Sequence, residues 1–145
     1  MSGRRLEPCL FTDRDLGKQF PEILKDAGLA VERHRDHFEH DAEDEAWLEV
    51  IGQRGWIALT HDRRIRFKPN ELAAVMRHRV ALLVIIGKAP YPELAHAFVA
   101  TFSNVERFVA GRAPPYIAKV YRPSPAEMAR GQAAGHVELW HPQRP

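Results

Sequence analysis

The stretch Val80-Ala-Leu-Leu-Val-Ile-Ile86 is an unbroken apolar run. A short run with no polar residue between its apolar ones is typical of a parallel strand that is covered on both faces. It is much shorter than the roughly 18 apolar residues that a membrane-spanning helix needs, and no run of that length occurs in the sequence. We therefore predict an inner strand of a parallel sheet at residues 80–86 and a chain that does not cross a membrane.

Helices and strands are predicted to alternate on both sides of this strand. Strands are expected at residues 8–12, 29–32, 56–60 and 116–121, and helices at 16–27, 42–54, 70–78 and 91–110. In the longest helix, Leu94, Phe98, Phe102 and Val105 recur at three- and four-residue steps and form a core stripe. The order β-α-β-α-β-α-β-α-β predicts an α/β fold, with helices on both faces of a mainly parallel sheet of about five strands.

The length of 145 residues favours one domain, and the 45% of hydrophobic residues are enough for a substantial core. The single cysteine, Cys9, excludes an internal disulfide framework and a cysteine-rich zinc site. Residues 1–5 are charged and no apolar segment follows them, so we expect no secretory signal and a cytoplasmic protein. After Arg122, proline, alanine and glycine predict a loose C-terminal tail over 123–145, in which residues 137–140 are compatible with an added edge strand.

The net charge of +2 conceals an uneven distribution along the chain. Residues 1–62 contain 8 lysines and arginines against 14 acidic residues, whereas residues 63–145 contain 13 against 5. This asymmetry fits an acidic cluster that holds cations beside a basic surface that holds phosphates. It fits equally well a bipolar surface without a function.

Several acidic residues lie at the ends of predicted strands or at the start of a predicted helix. Asp13 follows the first strand and Asp62 the third, and the carboxyl ends of parallel strands share one edge of a sheet. Asp44 lies on the apolar stripe of the helix at 42–54, while Glu45 lies roughly 100° further round it. These carboxylates either cap helices and turns, as Asp41 is expected to do, or converge on Mg²⁺ or Mn²⁺ that activates water for attack on a phosphodiester.

A basic stretch follows Asp62 directly, Arg63-Arg-Ile-Arg-Phe-Lys68. The cations of Arg63, Arg64, Arg66 and Lys68 can attract a phosphate backbone without reading its sequence. Phe67 can stack on a nucleobase. The alternative is a solvated charged loop.

A histidine series, His34-x-x-His37-x-x-His40, lies within residues 33–40. Helical spacing could let such histidines share a zinc ion, but the polar residues between them favour a surface loop. We predict a polar loop for this segment.

Three segments, Phe11-Thr-Asp-Arg-Asp-Leu-Gly17, Asp44-Glu-Ala-Trp-Leu48 and Leu59-Thr-His-Asp62, resemble the three motifs of PIN-like domains. The similarity is greatest to the abbreviated PIN-like proteins of bacterial toxin–antitoxin systems, and it covers roughly residues 9–122. The resemblance implies a three-layer PIN fold within a domain at 1–122. It also implies a Mg²⁺- or Mn²⁺-dependent ribonuclease that acts on RNA, has an antitoxin protein as partner and often forms a homodimer.

Carried over by motif, Asp13 and Asp62 would be metal ligands and Asp44 the helix carboxylate, with Glu45 as its substitute. The hydroxyl of Thr60 would orient the turn that carries Asp62.

The family often has a further acid two residues after that aspartate, where this chain has Arg64. Either Asp15 compensates for the missing carboxylate or a single ion binds. A non-catalytic interaction or nucleic-acid-binding module and a DNA-directed nuclease stay open as alternatives.

Overall fold

A computed structural model describes residues 8–142, without the side chain of Arg66. The strands are β1 (Leu10–Thr12), β2 (Val31–Arg33), β3 (Ile57–Thr60), β4 (Ala81–Ile85), β5 (Tyr116–Tyr121) and β6 (His136–His141). The α-helices are α1 (Gln19–Asp26), α2 (Asp44–Arg54), α3 (Pro69–Arg77), α4 (Tyr91–Ala110) and α5 (Pro125–Ala129). Short 3-10 helices follow β1, β2 and β3.

The strands form one sheet in the order β2-β1-β3-β4-β5-β6. The pairings among β1 to β5 are parallel, and β6 runs antiparallel to β5 at the edge. The predicted α/β class with a mainly parallel sheet is confirmed, with one strand more than the five expected. Because β1 and β3 are neighbours, the residues that follow them are brought to one edge of the sheet.

Helices cover both faces of the sheet and bury two separate hydrophobic clusters. Leu83 and Ile85 of β4 belong to the cluster under α1 and α4, whereas Leu82 and Val84 belong to the cluster under α2 and α3. Neither side of β4 faces water, which explains why its sequence lacks polar alternation. The expected three layers, α/β/α, are therefore present.

The first turns of two helices differ from the prediction. Residues 14–16 form a 3-10 helix, and Gly17, with φ of +75°, separates it from α1. The helix α2 begins at Asp44, with Glu43 at the N-cap position, so the prediction that Asp41 caps this helix is wrong.

The prediction of a polar surface loop at residues 33–40 is wrong for His34. Its side chain is buried among the rings of Phe11, Phe38 and Trp47, in the first turn of a 3-10 helix. These rings come from three different parts of the chain, and for this reason the local composition gave no sign of the burial. His37 instead faces Glu32, with 2.7 Å between Nε2 and Oε1.

The C-terminal residues add α5 and β6 to the same fold. Ser124 and Glu127 form a reciprocal capping box at the start of α5. The candidate edge strand at 137–140 lies within β6, so this segment is not a loose tail. A domain boundary at residue 122 stays a prediction. None of the helices within residues 8–142 is both long and apolar enough to span a bilayer.

Candidate active site

The carboxyl ends of β1 and β3 open into a cleft of about 890 Å³. The amide of Asp13 donates to the carbonyl oxygen of Leu59 at 3.0 Å, which ties the two strand ends together. Four carboxylates line this cleft, and we call them the acidic cluster: Asp13, Asp15, Asp44 and Asp62. The three strand-end and helix aspartates predicted from the sequence thus border one cavity.

The side chain of Thr60 lies at the centre of the acidic cluster and is fully buried. Its Oγ1 is 3.0 Å from Oδ2 of Asp13 and 3.1 Å from Oδ2 of Asp15, and it accepts the amide of Asp62 at 3.2 Å. A hydroxyl has one hydrogen to donate, so only one of the two carboxylates can receive it at a time. Since Thr60 is inaccessible to solvent, its hydroxyl holds the acidic groups from beneath the surface of the cleft.

Asp13 and Asp15 lie close together with little compensating charge. Burial raises the pKa of Asp13 to about 7, and the negative charge of Asp15 adds to the shift. Burial also raises the pKa of Asp15. Their hydrogen bonds come from Thr60 and from the backbone amides of Arg14 and His61, and among the described side chains no lysine or arginine donates to either carboxylate. This pair is short of positive charge.

Asp62, unlike Asp13 and Asp15, has a cationic side chain beside its carboxylate in the described part of the chain. The Lys68 ammonium lies 2.6 Å from its Oδ2, and the amide of Arg64 donates to its Oδ1 at 3.0 Å. Burial opposes ionisation of Asp62, but these hydrogen bonds outweigh it and hold the pKa of Asp62 below its ordinary value. The chain itself supplies the cation at this carboxylate.

The helix α2 presents its two acids in different directions. Oδ1 of Asp44 accepts the indole N–H of Trp47 at 3.0 Å, which holds the carboxylate at the cleft. Glu45 forms an ion pair with Arg77 instead and does not line the cleft. The 100° between consecutive helical residues explains the separation, and Glu45 is not brought to the acidic cluster.

Three of the four cations predicted to bind phosphate lie at the cleft. Arg63, Arg64 and Lys68 line the cleft, and Arg64 is largely exposed. The side chain of Arg66 lies outside the described part of the chain.

Sequence reasoning missed the wall of the cleft that β5 and β6 supply, which includes Lys119, Tyr121 and Trp140. Lys119 and Tyr121 are two residues apart and therefore lie on one face of β5. They are the less buried residues in a strand that is otherwise apolar and buried. In the sequence, a lysine and a tyrosine at alternate positions of an apolar strand are the signal that could have placed both residues at the cleft.

The donor chemistry of the acidic cluster fits a hard divalent cation. Carboxylate oxygens are the ligands that Mg²⁺ and Mn²⁺ prefer, and no lysine or arginine side chain in the described part of the chain donates to the Asp13–Asp15 pair. Within residues 8–142, however, no three histidine, cysteine, aspartate or glutamate side chains form a group that could hold a metal ion together. The carboxylates fit as donors around the cleft but do not form a closed cage.

A scan against protein-family models matches residues 8–87 to the family described as PIN like domain. This chain belongs to the PIN-like domain family. The match covers the whole acidic cluster and the basic stretch, and it confirms the family that the three motifs predicted. It ends before β5 and β6, which complete the cleft.

One curated relative is the protein named "Putative ribonuclease VapC45" from Mycobacterium tuberculosis (strain ATCC 25618 / H37Rv). It is 29% identical over 120 residues, which cover 77% of this chain and 85% of the relative. No solved structure matches this chain.

Proposed function

We propose that this protein is a Mg²⁺- or Mn²⁺-dependent ribonuclease that hydrolyses RNA phosphodiester bonds and acts as the toxin of a toxin–antitoxin pair. The observation that carries the proposal is the acidic cluster, four carboxylates around one cleft whose rim is cationic. An acidic centre suits a divalent ion, and a cationic rim suits a polyanion. The similarity to a curated protein named as a ribonuclease supports the same activity.

Asp13, Asp44 and Asp62 would hold the ion, with Asp15 as a further donor. When bound, such an ion supplies Lewis-acid activation of water and neutralises charge on the phosphate. Asp13 carries a proton for part of the time near neutral pH, because its pKa is about 7, and it would release this proton when a cation binds. Glu45 has no place in this proposal, since its side chain pairs with Arg77 outside the cleft.

The cationic residues would bind the RNA backbone. Arg63, Arg64 and Lys68 line the cleft, and Arg66 belongs to the same basic stretch. Contacts from such side chains to phosphates position a nucleic acid but do not read its sequence. Thr60 holds the acidic groups in place beneath the substrate.

The test is cleavage of single-stranded RNA in Mn²⁺ by Asp13→Asn and Asp62→Asn variants. Each substitution removes a ligand charge with little change in shape. The rate should fall by more than the about 10- to 100-fold that loss of an outer partner of a metal site costs. Glu49→Gln, on the exposed face of α2, is the matched control and should cleave like the wild type. Retained cleavage in both aspartate variants overturns the proposal.

The antitoxin, the homodimer and the cytoplasmic location come from the family resemblance and belong to the proposal. Expression of the chain alone in a bacterial host should stop growth, and coexpression with the protein encoded beside it should restore growth. The Asp13→Asn variant should be harmless in the same assay. Size-exclusion chromatography of the purified chain, alone and with that protein, tests the homodimer and the complex.

A second candidate is a non-catalytic nucleic-acid-binding or interaction module. The close approach of Lys68 to Asp62 favours it, because that ammonium already neutralises one carboxylate. A module without a metal site would show no Mn²⁺-dependent increase in melting temperature, whereas the ribonuclease should show one. Parallel assays on RNA and DNA of the same sequence distinguish a DNA-directed nuclease, since only RNA carries the 2′-hydroxyl.

A further inference from the structure

The cleft that holds the acidic cluster is also lined by aromatic and cationic side chains. Lys119 and Tyr121 come from β5 and Trp140 from β6, and both strands lie beyond residues 8–87, the segment that matches the family. Phe67, in the basic stretch, lines the same cleft. We call Phe67 and Trp140 together the aromatic step.

Phe67 is 69% exposed and is one of two large apolar side chains exposed within the described chain. Such exposure brings no gain from core packing. Phe67 is surrounded in sequence by cations and lines the cavity that holds the acidic cluster. An exposed ring beside cations is the combination that proteins use to hold unpaired nucleotides.

Neighbouring side chains position the ring of Phe67. Its centroid is 6.0 Å from that of Trp140, at an interplanar angle of 80°, which is an edge-to-face contact. The Lys119 ammonium lies 4.4 Å from the centroid of Trp140 and packs over that ring. Trp140 is therefore fixed between a cation and an aromatic ring, and it holds Phe67 at the mouth of the cleft.

We propose that the aromatic step is a nucleobase-stacking subsite, in which Phe67 stacks on an unpaired base next to the phosphodiester bond at the acidic cluster. This proposal rests on the proposed function and names the side chain that would contact a base of the RNA. Each base has a π-face that can stack on Phe67, but only an unpaired base can turn that face toward the protein. Lys119 and Arg63 lie at the same cleft and bind the phosphates on either side.

The volume of the cleft is sufficient for a nucleobase and its neighbouring phosphates. Its volume of about 890 Å³ lies near the upper end of the roughly 300–1,000 Å³ found for small-molecule sites. That space is enough for a base and the phosphates beside it and leaves the cleft open for the rest of the strand.

The experiment measures binding of a fluorescein-labelled single-stranded RNA and of the same RNA in a duplex. Fluorescence anisotropy is recorded with the full chain carrying Asp13→Asn, which slows cleavage. To this background we add Phe67→Ala, Phe67→Leu or Phe67→Trp. Met128→Ala, which removes the other exposed large apolar side chain, is the matched control because Met128 does not line the cleft.

Phe67→Ala and Phe67→Leu should weaken binding of the single strand by about five- to a hundredfold, the usual cost of losing one base–aromatic stack. Phe67→Trp and Met128→Ala should bind like the background. Binding of the duplex should be the same in every variant. Because Phe67 is mostly exposed, melting temperatures should be unchanged, which separates a binding defect from a folding defect.

Two results overturn the stacking subsite. One is equal binding by Phe67→Leu and Phe67→Trp, which would mean that any apolar side chain serves. The other is an equal loss for single strand and duplex, which would mean a contact to the backbone.

Cleavage assays on chains with intact Asp13 separate this proposal from the proposed function. Wild-type cleavage that Phe67→Ala leaves unchanged removes the subsite and keeps the ribonuclease. Absence of cleavage by the wild type, with stacking still seen in the binding assay, removes the ribonuclease and keeps the subsite.

Discussion

Asp13 and Asp62 follow neighbouring strands and line the same cleft, but among the described side chains only Asp62 has a cationic partner. Asp62 receives the Lys68 ammonium at 2.6 Å, and its pKa lies below the ordinary value of an aspartate. Asp13 has Asp15 as its neighbour and Thr60 as its side-chain donor, and its pKa is raised to about 7. The proposed divalent ion would therefore be needed most at the Asp13–Asp15 side, whereas at Asp62 it would have to compete with Lys68.

The difference originates in the residues that follow each strand. After β1, the 3-10 turn of residues 14–16 brings a second acid, Asp15, back toward the hydroxyl of Thr60. After β3, the chain continues into the basic stretch, and Lys68 returns to Asp62. Two similar strand ends thus form one acidic pair and one ion pair.

After Asp13→Asn and Asp62→Asn, the largest effect should come from Asp15→Asn, which breaks the acidic pair. Removing one of two like charges lowers the pKa of Asp13 and takes away much of the attraction for a divalent ion. We expect the Mn²⁺-dependent rise in melting temperature to disappear and RNA cleavage to fall more than about tenfold. Without metal the melting temperature should not decrease, since the repulsion is relieved. Differential scanning fluorimetry with and without Mn²⁺ measures both.

Asp36→Asn is the control for this substitution. Asp36 forms an ion pair with Arg33 and does not line the cleft. Its variant should keep the full response to Mn²⁺. If the Asp15→Asn protein responds to Mn²⁺ like the wild type, the acidic pair is not what attracts the ion.

The next effect is that of Thr60→Val, which keeps the side-chain shape but removes the hydroxyl shared by both sides of the cleft. The substitution leaves the amide of Asp62 without its acceptor and both carboxylates of the acidic pair without their side-chain donor. The free energy of unfolding should fall by about 1–3 kcal/mol. Urea denaturation measures this change, and titration of the folded variant with Mn²⁺ should show weaker binding.

Thr101→Val is the matched control, because Thr101 is also a buried threonine with two hydrogen bonds. Its Oγ1 donates to the carbonyl of Ala97 at 2.7 Å and accepts the amide of Gly135 at 2.9 Å, away from the cleft. It should lose similar stability but keep its affinity for Mn²⁺. Equal Mn²⁺ affinity in the two valine variants would show that Thr60 does not organise the acidic pair.

The sequence predicted the side of the cleft that is built from consecutive elements. The parallel order of strands sufficed to place Asp13 and Asp62 on one edge, because that rule depends only on the alternation of helices and strands. The helical period also indicates different directions for Asp44, which lines the cleft, and Glu45, which does not, although the sequence interpretation kept Glu45 as a candidate catalytic residue.

The other parts of the site could not be predicted in the same way. The pairing of Lys68 with Asp62 depends on the path of a short basic segment, and the burial of His34 depends on rings from distant residues. Trp140 comes from a region whose proline, alanine and glycine content indicated a tail. In each case the position of the side chain depends on a contact between residues distant in sequence or on the path of a loop. The local composition does not indicate either of these.

A smaller effect is expected of Lys68→Met, which would make Asp62 resemble Asp13. Loss of the ammonium raises the pKa of Asp62 and frees its carboxylate for an external ion. Because a partly exposed ion pair contributes about 0–1 kcal/mol, Mn²⁺ affinity should increase by up to about fivefold. RNA affinity should fall at the same time, since Lys68 is one of the cations proposed to bind the RNA backbone. Titrations of Mn²⁺ and of labelled RNA measure the two effects separately.

Arg77→Met provides the matched control for Lys68→Met, because Arg77 pairs with Glu45 outside the cleft. Arg77→Met should change neither the affinity for Mn²⁺ nor the affinity for RNA. Unchanged or weaker Mn²⁺ binding by Lys68→Met would mean that Lys68 does not compete with the ion.

The smallest effect concerns His34, whose side chain is buried among aromatic rings. Burial lowers the pKa of His34, with Arg14 adding to the shift, whereas it raises that of Asp13, because in both groups it disfavours the charged form. The unfolded chain therefore binds a proton at His34 below about pH 6.5, which the folded chain binds only at lower pH, so stability is lost as pH falls below that value.

His34→Phe should remove this loss, because a phenyl ring fits among the rings of Phe11, Phe38 and Trp47 and cannot be protonated. The melting temperature of the variant relative to wild type should rise as pH is lowered from about 7 to about 5, measured in EDTA. Asp13 titrates in this range with the opposite sign, but it does so in both proteins and cancels in the difference. A difference in melting temperature between His34→Phe and the wild type that does not change with pH would contradict the lowered pKa of His34.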